Sequence, residues 1–404
     1  MTPLAEIFFV FLRLGLTSFG GPVAHLGYFR EAFVVRRKWI DEAAYADLVA
    51  LCQFLPGPAS SQVGFALGLK RGGTLGGLAA WLGFTAPSAM LMLAVAGGLA
   101  WFVTPAGQAV AHGLKLVALV IVAHAVLGMA RSLVRDVATG VIAIFACAAL
   151  MLFPVVWMQP LVIVLGGLIC VLRRPPSPAA PVLPPQAGEE NARSETAGAY
   201  GRAFLFVFVA LLLALPFLAN LGGPFAIADA FYRAGAFVFG GGHVVLPLLE
   251  AETVGRGWLG QDAFLAGYGA AQALPGPLFA FAAFLGASGG PMPGVTGGLV
   301  ALAFLFLPGL LLVAALLPHW EALKVRPGAV HFVAGAGAAV VGVLAAALYN
   351  PVFTSAVRGW PDIAIAAAGF ALLQWMKTPA WLVVLIVTVA GAGSVLAASG
   401  APVH

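Results

Sequence analysis

Ten stretches of this chain, at 4–19, 75–102, 114–130, 137–153, 161–172, 203–221, 295–317, 330–348, 363–375 and 381–398, are built largely from apolar side chains. A helix needs about 20 such residues to cross the hydrocarbon core of a bilayer, and these stretches meet or approach that length. They are continuous rather than alternating, which excludes a lipid-facing β-barrel. Only 9% of the 404 residues are charged and 62% are hydrophobic, against about 25% charged in a soluble domain. No single core of this size hides so much apolar surface from water. The sequence therefore predicts an all-α polytopic membrane protein. Stretch 4–19 has neither a basic flank nor a small-residue cleavage site, so it is expected to stay as a membrane helix rather than leave as a signal peptide.

The chain also repeats itself. FLRLGLTSFGGP at 11–22 matches FYRAGAFVFGGG at 231–242, pairing Arg13 with Arg233, Gly15 with Gly235, and Phe19-Gly20-Gly21 with Phe239-Gly240-Gly241, all at an offset of 220. Trp39 then meets Trp258, and Gln53-Phe54-Leu55-Pro56-Gly57-Pro58 meets Gln272-Ala273-Leu274-Pro275-Gly276-Pro277, at 219. Gly76-Gly77 meets Gly297-Gly298 and Pro87 meets Pro308, at 221. So many rare residues in register mark two copies of one unit. The halves are read as 1–172 and 203–404, the latter with an extra helix at 203–221 before its repeat unit at 224–404. Between them, 173–202 is rich in Pro, Ala and charge without apolar periodicity, as a solvated linker is.

With the N-terminus and the linker in the cytoplasm, 14 of the 20 bases face that side, among them Arg36-Arg37-Lys38, Lys70-Arg71, Lys324 and Lys377. Arg256 and Arg358 fall outside, and Arg13, Arg30, Lys115 and Arg233 lie in or near the membrane. That distribution follows the positive-inside rule. The unpartnered helix 203–221 then inverts the second copy, a common plan for secondary transporters whose solute site lies near the midplane. The net charge of +5 is accounted for by these loops and carries no nucleic-acid signal.

In each copy a helix runs into Leu-Pro-Gly-Pro. The first Pro ends it and the second suits the first position of the next helix. Such a break at membrane depth is tolerable only inside protein or beside a water-filled cavity, and the outgoing helix would aim free N–H groups at the gap. A packing kink is the alternative. Ser60 and Ser61 add hydroxyls in the first copy, where the second has Leu278-Phe279-Ala280, so the two sites are expected to differ. Gln53 and Gln272 bring amides close by. Arg13 and Arg233 stand in apolar segments, where a permanent charge marks either an oxyanion contact or an ion pair with Glu6 and Asp229. Gly20-Gly21-Pro22 and Gly240-Gly241 allow close approach of backbone to a ligand, or tight helix packing. His25 and His243 are out of register. Cys52, Cys147 and Cys170 match no metal or redox spacing. No phosphate-binding loop, HExxH or zinc pattern occurs. These observations exclude an evident enzyme centre and imply no cofactor and no metal, leaving ion gradients as the energy source.

The run FLRLGLTSFGGPVAHLGYFREAFVVRRKWIDEAAYADLVALCQFLPGPASSQVG resembles the chromate ion transporter (CHR) family, and FVFGGGHVVLPLLEAE with AQALPGP resembles its second-half signature. The resemblance covers nearly the whole chain, in the long two-domain form. It implies export of chromate across the bacterial inner membrane and chromate resistance, with sulfate as the competing look-alike. Membrane lipid and a second copy of the chain in a homodimer are the other expected partners, and nucleic acid is not one. The expected mechanism is alternating access, the dianion held between the copies by Arg13, Arg233 and the helix ends at Pro58 and Pro277. Glu6, Asp47, Asp229 and the histidines are candidates for a coupled proton. Inward transport of sulfate or another oxyanion, and an anion channel, are the alternatives.

Overall fold

The computed structural model describes residues 2–153, 155, 157–173, 191–239, 242–320, 323 and 326–400, and every regular element among them is helical. Gly240, Gly241, Lys324 and the 174–190 part of the linker lie outside the described residues.

Helix α1 (Pro3–Thr17) begins with Pro3 in its first turn and Thr2 as cap. It ends where Gly20 and Gly21 take left-handed backbone, φ 101° and 77°. The chain returns through α2 (Gly21–Arg30) and a π-helical turn (Glu31–Arg36). Glu6 meets Arg37 at 3.2 Å and Arg71 at 3.7 Å, so the hairpin's two ends lie together. Segment 4–19, expected as a full membrane helix, is therefore one arm of a hairpin. Its 15 residues reach only about 22 Å.

Asp41 caps α3 (Glu42–Phe54), accepting from Ala44 N at 2.8 Å. After the Pro-Gly-Pro break, α4 (Ala59–Gly97) leaves the tip and bends at Gly72-Gly73. Its first part completes a second hairpin. Its second part packs on α1 so closely that Gly83 lies against Phe8 O and Gly15 against Phe84 O. Then follow α5 (Pro105–Leu133), α6 (Val137–Leu152), α7 (Met158–Arg173) and α8 (Asn191–Leu218).

The second copy repeats the plan with α9 (Gly223–Ala236), α10 (Val245–Thr253), α11 (Gln261–Ala273), α12 (Phe281–Ser288) and α13 (Val295–Leu316). Its first hairpin is also clamped at the open end, where Arg256 meets Asp229 at 3.1 Å and Glu252 at 2.6 Å. The two clamps correspond: Arg37 stands over Trp39 at 5.9 Å and Arg256 over Trp258 at 5.4 Å. Helices α14 (Pro327–Ala347), α15 (Trp360–Gln374) and α16 (Ala380–Gly400) close the chain.

The halves interlock. Helix α5 of the first copy packs on α15 and α16 of the second, while α14 packs on α6 and α7. Gly113 lies against Thr388 O, and Gly335 lies in the same way against Gly166 O. Among the described residues six helices, within 59–97, 105–133, 200–221, 295–319, 328–356 and 380–397, are long and apolar enough to cross a membrane. The 200–221 span is only 6% buried, so the extra helix lies at the periphery, against α9 and α13.

Gly335→Val should lower the unfolding midpoint in detergent by the equivalent of about 1–3 kcal/mol of overpacking, because its Cβ would also fall 2.6 Å from Cys170 Cβ. Gly393, with nothing within 4 Å, is the control: Gly393→Ala should leave the midpoint unchanged or higher.

Candidate anion site at the hairpin tips

Broken helices leave unpaired backbone groups that lipid cannot satisfy. The tips satisfy part of this need with one another. Gly57 N donates to Val238 O at 2.7 Å, and Gly276 N donates to Ser18 O at 2.9 Å. In both bonds the Pro-Gly-Pro glycine of one copy meets the residue before Phe-Gly in the other. Gly57 and Gly276 have φ of 126° and 90°. A Cβ there would lie 2.8 Å from Gln62 Nε2 and from Ser88 Oγ respectively. Glycine is required at both for conformation and for space.

The tips then diverge. In the first copy Gln62 is buried, and its Nε2 donates to Pro56 O at 2.9 Å and Gly309 O at 3.2 Å. Ser60 Oγ lies 3.3 Å from His25 Nδ1. Side chains thus fill that tip. The position of Gln62 in the second copy is Phe281, which cannot make those bonds. Beside the second copy's break a cavity of about 270 Å³ is lined by Gly20, Gly21, His124, Gln272, Gly276 and Lys377, among others. Its polar groups are donors or bases, and no carboxylate among the described residues lines it. The Gln272 side chain serves the buried Tyr268 hydroxyl, while His124 Nδ1 is buried without a partner among the described residues. Lys377 follows α15 with φ 52°, in the left-handed region uncommon outside glycine. It sets its charge at the negative end of the α15 dipole. This lining, one lysine with imidazole and amide groups, is of the kind that can hold an anion.

Sequence-predicted site residues divide between this cavity and other places. Gly20, Gly21, Gln272 and Gly276 line it. Pro275 and Pro277 frame the same break, and Pro22 opens α2 nearby, its Cγ 3.1 Å from where a Cβ on Gly242 would lie. Pro56, Gly57, Pro58, Ser60 and Ser61 form the first-copy tip, which Gln62 fills. Gln53 is exposed on α3. Gly240 and Gly241 lie outside the described residues.

The two arginines do not meet. Arg13 is exposed on α1 and lines a separate cavity with Glu31, Arg36 and Arg37. Glu6, its suggested partner, pairs with Arg37 and Arg71 instead. Arg233 is buried, bonded to Asp229 and Glu252 at 3.0 Å each and placed over Trp157 at 4.8 Å. Here the ion-pair alternative holds, since a buried guanidinium persists only with such compensation. His124 and Lys377 were missed. His124 stands within the 29-residue apolar α5, a position that marks an intramembrane function by itself. Lys377 carried no signal beyond its loop.

Membrane-length helices and hairpins buried tip to tip define a multi-pass membrane protein. The chain belongs to the chromate transporter family, whose pattern matches residues 5–171 and 225–392, one region on each copy. A chromate transport protein of Pseudomonas aeruginosa is 30% identical over 399 residues, covering 96% of this chain and 91% of that one. A probable chromate transport protein of Synechococcus elongatus is 28% identical over 94% of this chain and 93% of its own length. A chromate transport protein of Cupriavidus metallidurans is 29% identical over 85% and 82%. No solved structure matches the chain.

Arg233→Ala strands two buried carboxylates with only Arg256 to serve them. It should cost on the order of 3 kcal/mol, read as a lowered unfolding midpoint in detergent, whereas exposed Arg13→Ala should leave the midpoint in place.

Proposed function

We propose that this protein exports chromate from the cytoplasm across the bacterial inner membrane by alternating access, and so confers chromate resistance. The observation that carries the reading is the cavity at the second Pro-Gly-Pro break, lined by His124, His243, Lys377 and Gln272 and, among the described residues, by no carboxylate. A tetrahedral dianion supplies several acceptors at once, and charge-assisted hydrogen bonds are the strong ones. Sulfate shares this geometry and is the expected competitor.

The positive-inside rule places the first copy's hairpin ends, with Arg36-Arg37-Lys38 and Lys70-Arg71, in the cytoplasm. The reciprocal tip contacts then favour hairpins of the second copy entering from the other face, as inverted repeats do. In that orientation Lys377 and the His124 end of α5 face the cytoplasm, so the cavity takes its anion from inside. Moving two negative charges outward down an inside-negative potential yields about 4.6 kcal/mol per 100 mV. The membrane potential is a sufficient drive.

Chromate accumulation in cells expressing the protein, with and without excess sulfate, tests this directly. Lower accumulation than in control cells, partly restored by sulfate, is expected, and unchanged or raised accumulation would falsify export. Lys377→Ala and Gln272→Ala should each raise the KM for chromate in inside-out vesicles by about tenfold, the loss of one hydrogen bond to a charged group. Arg13→Ala should leave it unchanged.

A further inference from the structure

A second and larger cavity, about 600 Å³, lies farther along the same two helices. It is lined on α5 by His112 and Lys115, on α11 by Asp262 and Gly267, and by Arg358 ahead of α15. The cavity at the tips uses the later residues of those helices, His124 on α5 and Gln272 on α11. Between the two, Gly269 of α11 presses on Leu114 O of α5 with no room for a Cβ. Both cavities thus border the same pair of packed helices, α5 and α11.

The charges of the outer cavity are unevenly held. Lys115 is buried, its side chain 4% exposed, and its Nζ donates to Asp262 Oδ1 at 2.8 Å. Asp262 is 72% exposed. The carboxylate can swing into water at little cost, but the ammonium cannot, so Lys115 requires an anion that Asp262 need not supply. His112 Nε2 lies 2.8 Å from Asp362 Oδ1, and its Nδ1 is buried without a partner among the described residues. The Asp362 carboxylate also accepts from Arg358 N at 2.8 Å, and the exposed Arg358 side chain lines the same cavity.

The fold does not require these groups. The paired contacts of Gly113 on Thr388 and Gly335 on Gly166 put α5 and α14 in register at an offset of 222. In that register His112, Lys115 and His124 correspond to Ala334, Gly337 and Ala346. The same helix folds in the other copy with none of the three polar groups, so the helix itself does not require them.

We propose that the outer cavity is a second oxyanion site, in which Lys115, with Arg358 beside it, exchanges Asp262 for the transported dianion, Asp262 acting as a tethered competitor that is displaced when the anion arrives and returns when it leaves. The inference rests on the reading of the tip cavity as the first oxyanion site. Equilibrium dialysis of the purified full-length protein in detergent against radiolabelled chromate, with sulfate as competitor, tests the two separately. The wild type should bind two anions per chain. Lys115→Gln should bind one, and the double variant Lys115→Gln/Asp262→Asn, which removes both charges together and avoids a stranded ammonium, should also bind one. Asp262→Asn should bind two, with one Kd about tenfold lower because the occupied fraction of Lys115 no longer taxes binding. Gln272→Ala/Lys377→Ala should keep one anion, in the site that Asp262→Asn still tightens. Two anions on Lys115→Gln, an unchanged Kd in Asp262→Asn, or a wild type whose only anion survives Lys115→Gln overturns the outer site, and a wild type whose only anion is lost in Lys115→Gln and kept in Gln272→Ala/Lys377→Ala overturns the tip site alone. A Gln272/Lys377 variant that still binds two overturns the tip site alone.

Discussion

Two backbone hydrogen bonds, Gly57 N to Val238 O and Gly276 N to Ser18 O, hold together what a bilayer would otherwise forbid. Four helices stop within the protein, and each stop frees N–H and C=O groups that cost several kcal/mol apiece in hydrocarbon if left alone. By pairing tip with tip across the two copies, the molecule satisfies part of this need and brings the breaks together. The adjoining helices are shaped for it. Gly57 abuts Gly309 on α13, and Gly276 abuts Ser88 on α4, each just after the proline inside a long crossing helix. Because each tip bonds to the other copy, neither half can complete its interior without the other. The exchange of α6 and α7 for α15 and α16 around the long helices extends that dependence outward.

On this nearly symmetric frame the chemistry is one-sided. Gln62 fills the first-copy tip by bonding Pro56 O and Gly309 O, while the second copy carries Phe281 and a cavity opens beside it. Helix α5 carries His112, Lys115 and His124, and its counterpart α14 carries Ala and Gly at those places. Side chains fill the first Pro-Gly-Pro tip, and a cavity borders the second. Duplication supplies two broken-helix platforms with different polar groups, Ser60 and Gln62 at the first and Gln272 at the second. The charged clamps at the hairpin ends belong to the frame: Arg37 with Glu6, and Arg256 with Asp229 and Glu252, hold open ends shut. Arg233 joins the second clamp and is consumed by it.

Much of this was legible in the chain. Apolar run length and low charge dictate a helical membrane protein because lipid admits few other structures, and the register of Gly, Pro, Gln and Trp between the halves exposes the duplication. The Pro-Gly-Pro breaks could be located because proline and glycine act on their own backbone, whatever surrounds them. Segment 4–19 was read as a crossing because its hydropathy is that of one. Its reversal at Gly20-Gly21 depends on partners that the local sequence does not show.

The site is where reading by sequence alone ran out. Residue type and neighbourhood indicated that Arg13 and Arg233 were costly in an apolar setting, but they could not say which carboxylate lay within reach. Glu6 and Asp229 were equally plausible by spacing, and only the folded clamp shows Asp229 taken by Arg233 and Glu6 taken by Arg37. His124 and Gln272 are far apart along the chain, and Lys377 follows a different helix, so their convergence has no one-dimensional trace. The sequence by itself determined the solvent, the helical class, the duplication and the positions of the broken helices, since each follows from local covalent and hydropathic constraints. Tertiary structure decided which break is filled, which stays open and which charges remain unspent, because those outcomes depend on distances between residues that no local interaction sets.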